Sequence, residues 1–172
     1  MANPEPMVDV RLSRVVLRDG SDQQWIFLSE KTGERGFPII IGTPEAAEIH
    51  RVLTNEDPPR PMTHRLAHHA IDALGAKISR VEVVDLRENT FFARLVLERD
   101  GREFPLDARP SDALALGLRA GCPILVAESV LEEVRTDESG PDPLPGPEEG
   151  PGGTPEEGGP DEGPEAPEGD EE

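Results

Sequence analysis

The chain has 172 residues and a formal net charge of −19. Cys122 is its one cysteine, so an intramolecular disulfide is excluded, and its longest aliphatic runs, such as Ile39-Ile40-Ile41, are far too short to span a bilayer as a helix. The charge is unevenly placed: Asp137 to Glu172 holds 14 acids and no base, whereas the residues before it hold 22 acids against 17 bases.

That acidic stretch also contains 9 Pro and 9 Gly, and Leu144 is its sole large apolar side chain. Ordering a residue costs roughly 1–2 kcal/mol, and such a composition has nothing to bury that offsets it. Residues 137–172 are therefore expected to form a disordered acidic Pro/Gly-rich tail, and residues 1–136 a single α+β domain. The tail is either a solvating extension or a polyanion that competes with nucleic acid for arginines. The N-terminal residues carry neither the basic region nor the apolar run of a secretory signal, so a cytoplasmic protein is expected.

In chain order, Val8, Val10 and Leu12 alternate with polar residues, and Asp19-Gly20 marks a turn before Trp25-Ile26-Phe27-Leu28. A second turn leads to Phe37-Pro38-Ile39-Ile40-Ile41, which Gly42 ends. Thr43-Pro44-Glu45 reads as a helix cap, a first-turn proline and a first-turn acid. The helix that follows carries Ala46, Ile49, His50 and Leu53 on one face, which makes His50 a core histidine. Thr63 caps the next helix, where Leu66, Ala67, Ala70, Ile71 and Leu74 share a face and Gly75 suits the C-terminal cap. Strands follow at Ile78–Leu86, Thr90–Leu97 and, after the Asp100-Gly101 turn, Glu103–Asp107. Ser111 opens a third helix, apolar nearly all round; Cys122–Val126 is a last strand and Val130–Val134 a closing helix. The order predicts a mainly antiparallel or mixed sheet with helices packed on it, built from a duplicated strand-strand-strand-helix unit.

Two segments stand out chemically, Arg60-Pro61-Met62-Thr63-His64 and Asp107-Ala108-Arg109-Pro110-Ser111-Asp112-Ala113. Each sets an arginine, a hydroxyl and a further titratable group at a helix start, where free N–H groups and the helix dipole favour anions. Arg60, Thr63, Arg109 and Ser111 are the candidate phosphate-binding residues, and His64, as an imidazole beside them, the candidate proton carrier. The competing reading is structural: Thr63 and Ser111 or Asp112 cap their helices, and Arg109 pairs with Asp107 or Asp112. Asp107, Asp112 and Glu45 are hard-oxygen candidates for Mg²⁺ or Mn²⁺. His64 and His68 stand four apart without the acid of the zincin pattern, which argues against a zinc pair. No P-loop, dinucleotide fingerprint or nucleophile elbow occurs, so no organic cofactor is expected. Aromatic residues are scarce, and Phe91-Phe92 reads as half core rather than a stacking platform.

The same residues resemble the bifunctional nuclease (DUF151) family of small bacterial proteins and their plant homologues. The matching stretches are Pro38–Gly42 with Glu45, Arg60–His64, Asp85 with Thr90–Leu95, Asp107–Ala113 and Gly121–Ile124. The resemblance runs over residues 8–134 and implies an α+β domain, a homodimer, and nuclease activity on DNA and RNA. One position departs from it: the family often has an acid directly after the motif histidine, and here Arg65 stands there. Two functions follow as expectations. One is a divalent-metal-assisted phosphodiesterase, in which Arg60 and Arg109 hold the phosphate, Asp107 and Asp112 the ion, and His64 moves the proton. The other is a non-catalytic module that binds a phosphorylated ligand, a nucleic acid or a protein partner.

Overall fold

A computed structural model describes residues 5–33 and 35–136. The expected tail at 137–172 lies outside the described residues. The elements run β1 (Met7–Val16), β2 (Gln23–Glu30), β3 (Gly36–Gly42), α1 (Thr43–Thr54), α2 (Thr63–Ala73), β4 (Lys77–Arg87), β5 (Thr90–Arg99), β6 (Arg102–Ala108), α3 (Pro110–Ala120), β7 (Ile124–Ala127) and α4 (Glu128–Thr136).

Seven strands form one sheet in the order β3-β2-β1-β7-β4-β5-β6. Each triplet of sequential strands is an antiparallel meander, as its short turns require. Asp100 (φ 53°) and Gly101 (φ 71°) are both left-handed, the geometry of a two-residue hairpin turn. Between the meanders sits β7, antiparallel to β1 and parallel to β4, so the sheet is mixed. The fold is α+β. A duplicated unit is not confirmed: the strand order repeats, but α2 has no counterpart, and β6 is exposed along most of its length whereas β3 buries alternate residues.

Strand alternation divides the sheet into two faces. Val10, Ile26, Leu28, Ile39, Val81, Val83, Leu95 and Val126 point to one of them, where Ile49 of α1, Leu114 of α3 and Leu131 of α4 complete the core. Gly117 lets α3 lie close on β4, since a Cβ there would fall 2.4 Å from Val81 Cγ2. Phe37 of β3 stacks on Phe91 of β5 with ring centroids 5.2 Å apart. The first edge of the sheet thus reaches the far hairpin, and Phe91 is the core half of the Phe91-Phe92 pair as expected.

Two expectations need correction, and one expected apolar stripe is left open. His50 is exposed; its neighbour Glu48 is buried instead, tied to Arg51 (2.9 Å) and Arg119 (2.8 Å), which supply the charge that burial demands. The apolar face of α2 has no full cover among the described residues, for Leu66 is 60% and Leu74 70% exposed. Finally, none of the expected hydroxyl caps forms. The N-cap positions are Gly42, Met62 and Arg109, without side-chain capping bonds, and Thr43 donates instead to the Ser21 carbonyl.

Candidate active site

With Arg109 as the N-cap of α3, Asp112 falls in the first turn, where the helix dipole favours a carboxylate. Arg109 donates from Nε to Asp112 Oδ2 (2.7 Å) and from Nη2 to both Asp112 Oδ1 (3.1 Å) and Glu45 Oε1 (2.8 Å). Glu45 comes from the first turn of α1. It lies back over Gly42, where a Cβ would sit 2.5 Å from Glu45 Oε2, so the glycine that ends β3 makes room for the acid.

From the start of α2, His64 sets its Nε2 2.9 Å from Asp112 Oδ1. Partial burial alone would raise the Asp112 carboxyl, but hydrogen bonds from Arg109 and His64 outweigh it and hold the acid below its usual value. An ionised carboxylate only accepts, so Nε2 carries the proton and, in neutral imidazole, Nδ1 keeps its lone pair. No group among the described residues bonds that Nδ1. His64, Asp112, Arg109 and Glu45 thus form one continuous hydrogen-bonded chain across the starts of three helices.

Beside this chain opens a groove of about 650 Å³, a size that suits a small organic ligand or part of a polymer. Arg109, Pro110 and Ser111 line one end; Phe37, Ile41 and Phe91 contribute apolar wall. Ser111 is buried and Thr63 exposed, and neither hydroxyl is used as a cap. The side chain of Arg109 is 66% exposed and its Nη1 makes no bond among the described residues. Arg60 is exposed and forms no ion pair or hydrogen bond there either.

The expected carboxylate set for a metal does not gather. Asp107 lies on β6 opposite Arg94 and lines a different groove, with Glu82 and Phe92. Glu45 and Asp112 are bridged by the Arg109 guanidinium. Among the described residues, no group of three or more His, Cys, Asp or Glu side chains has the spacing to hold an ion. His68 pairs with Asp72 (3.5 Å), not with His64. Arg65, at the position where the resembled family often has an acid, bonds Asp57 (2.7 Å) and is no part of the His64 chain.

The bifunctional nuclease domain, as a family model, matches residues 26–139. The chain belongs to the bifunctional nuclease domain family. A relative from Mycobacterium tuberculosis (strain H37Rv), itself called uncharacterized, is 41% identical over 127 residues, covering 74% of this chain and 76% of the relative. Bifunctional nuclease 1 of Oryza sativa subsp. japonica is 27% identical over 114 residues, 64% of this chain and 34% of that protein. Bifunctional nuclease 1 of Arabidopsis thaliana is 28% identical over 108 residues, covering 60% and 33% respectively. This domain therefore corresponds to about a third of those plant proteins. The family match takes in both helix-start segments and the β3 and β5 stretches that wall the groove. The groove itself is not evident from sequence; its signal is the apolar run ending at Gly42, which reads as core until β3 is known to be an edge.

Proposed function

We propose that this domain hydrolyses phosphodiesters of nucleic acid where α2 and α3 begin. The observation that carries the reading is the chain from His64 through Asp112 and Arg109 to Glu45, whose Arg109 lines one end of an open groove. His64 accepts a proton from the attacking water at Nδ1 as the water oxygen bonds to phosphorus, while Asp112 fixes the ring and stabilises the imidazolium that results. The phosphorus–oxygen bond to the departing alcohol breaks, and solvent protonates the released oxygen. Arg109 offers Nη1 to the phosphate, and Ser111 with the free N–H groups of the α3 start adds donors for the developing charge. Arg60 draws the polyanion toward the site. Assistance by Mg²⁺ or Mn²⁺ belongs to the proposal as an experimental arm, with no ion-binding step assigned to Glu45, Asp107 or Asp112.

The test is cleavage of single-stranded DNA and RNA by the purified full chain, with Mg²⁺, with Mn²⁺ and with chelator. General acid–base catalysis contributes about 10²–10⁴-fold. His64→Ala should lose at least the lower figure, whereas Asp107→Ala, in its separate groove, should stay near wild type. Equal residual cleavage by wild type and His64→Ala would mean the activity comes from a contaminant.

One observation favours the second reading, a module that binds without turnover: two carboxylates share the single guanidinium, so the cluster carries no surplus positive charge. Oligonucleotide-induced thermal stabilisation without cleavage under any of the three conditions is its signature. We also propose that the protein is a cytoplasmic homodimer. Among the described residues no helix is long and apolar enough to cross a membrane. The edge strand β6 exposes Phe104 and Leu106, and α2 with its C-cap exposes Leu66 and Leu74, which suits them to cover by a second copy.

A further inference from the structure

The face of the sheet opposite the core carries a second assembly, on the β1–β2–β3 meander. In β2 the buried positions are Gln24, Ile26, Leu28 and Glu30, so Trp25 and Phe27 stand together on the outer face. Arg14 and Val16 of β1 lie beside Phe27 and Trp25, with Pro38 and Ile40 of β3 on their other flank. The Arg14 guanidinium lies 4.2 Å over the Phe27 ring and that of Arg18 lies 5.4 Å over Trp25. Arg11, exposed and paired in register with Ser29, is on the same face.

Charge separates this surface from the candidate site, where Arg109 is tied to Glu45 and Asp112, and from the other meander, where Arg80 is tied to Glu82 and Glu103. Arg11, Arg14 and Arg18 make no ion pair among the described residues. Asp9, the acid nearest them in β1, is held by Lys31 at 3.0 Å. Three uncommitted arginines around two rings, in a region with more acids than bases, are complementary to a polyanion whose monomers carry flat apolar faces.

We infer that this face binds single-stranded nucleic acid by stacking successive bases on Trp25 and Phe27 while Arg11, Arg14 and Arg18 hold the phosphates. A two-residue step in a strand puts the rings roughly 7 Å apart, about twice the ~3.4 Å rise per nucleotide of a stacked strand. Adjacent bases must unstack to occupy both rings, which a duplex resists. An exposed guanidinium–ring contact is weaker than base–ring stacking, so an arriving base displaces the arginine, which is left beside the backbone phosphate. This binding needs no turnover. Although Pro38 and Ile40 border both regions, Trp25, Phe27 and the three arginines line no part of the groove beside Arg109, so variants of these five residues test it apart from the hydrolytic reading.

Trp25 is the chain's only tryptophan and there is no tyrosine, so intrinsic fluorescence reports on this face alone. The experiment titrates the full chain, with chelator present, with a single-stranded oligothymidylate and with a duplex of equal length. Saturable quenching by the single strand, at least about tenfold tighter than by the duplex, is expected. The double variant Arg14→Glu, Arg18→Glu should weaken binding at least tenfold. It should also reduce the slope of log K against log salt by about 1.4, since each single-strand phosphate that is no longer neutralised removes about 0.7. Phe27→Leu should weaken binding and leave that slope unchanged, and His64→Ala should leave the quench intact. Hydrolysis of a small synthetic phosphodiester by the double variant should match wild type. Undiminished oligonucleotide binding by both sheet-face variants, or equal affinity for the duplex, would overturn the inference. So would quenching that grows with protein concentration alone, since a second copy would then cover the face.

Discussion

Asp112 is the residue on which the site turns, because it accepts from both His64 and Arg109. Its folded-state pKa is lowered, so its contribution to stability is complete above the unfolded value of about 3.9 and disappears as pH falls through the lower folded value. Asp112→Asn should therefore reduce the melting temperature at neutral pH, and the gap to wild type should close as acidification proceeds below about pH 4. Thermal melts from neutral to strongly acidic pH check this; a gap that is constant with pH would mean that the carboxylate's charge does not matter. At this scale the sequence is only partly legible. The two helix-start segments stand out because arginine, hydroxyl and a titratable group are more than a cap needs. Their meeting in space depends on long-range packing of α2 and α3, which no local pattern encodes. Sequence proximity groups Asp107 with Asp112, but Asp107 belongs to a strand and Asp112 to a helix, so nearness along the chain does not become nearness in space.

Among the elements, α3 lies close on β4 because Gly117 faces Val81. Replacing glycine by alanine inside a helix usually gains about 1 kcal/mol in propensity, whereas forcing a methyl into a filled contact costs about 1–3 kcal/mol. With the added Cβ 2.4 Å from Val81 Cγ2, the clash dominates. Gly117→Ala should be destabilising, and in a double-mutant cycle Val81→Ala should recover part of the loss, as chemical denaturation can measure. Strict additivity would show that α3 shifts as a body instead. Strand β1 is readable from alternation, β2 and β3 from short apolar runs bounded by turn residues, and the Asp100-Gly101 hairpin from its turn residues. The α1 face is only half readable. His50 and Glu48 are close neighbours along the helix, and burial goes to the glutamate because Arg119, far along the chain, reaches it. The periodicity of α2 correctly gives an amphipathic helix, but a hydrophobic stripe states only that cover is needed, not what supplies it.

For the whole molecule, the exposed apolar residues of α2 and β6 make association the principal expectation. Sedimentation of the full chain should give twice the monomer mass, and Leu66→Glu or Phe104→Glu should shift it toward monomer without unfolding the domain. A wild-type monomer at tens of micromolar would leave those surfaces to some other partner.

The placement of β7 bears on how the protein is made. Among the described residues, this four-residue strand is the one that joins the two meanders into a single hydrogen-bonded sheet: Met7–Val10 pair with it on one side and Val81–Val83 on the other. Of the seven strands it is also the last to leave the ribosome. Until Ile124–Ala127 emerge, each half of the nascent chain presents a raw inner edge, β1 in one and β4 in the other, open to pairing with the wrong chain. Synthesis rate and chaperone access over that interval, more than the strength of either meander, should set the yield of native protein.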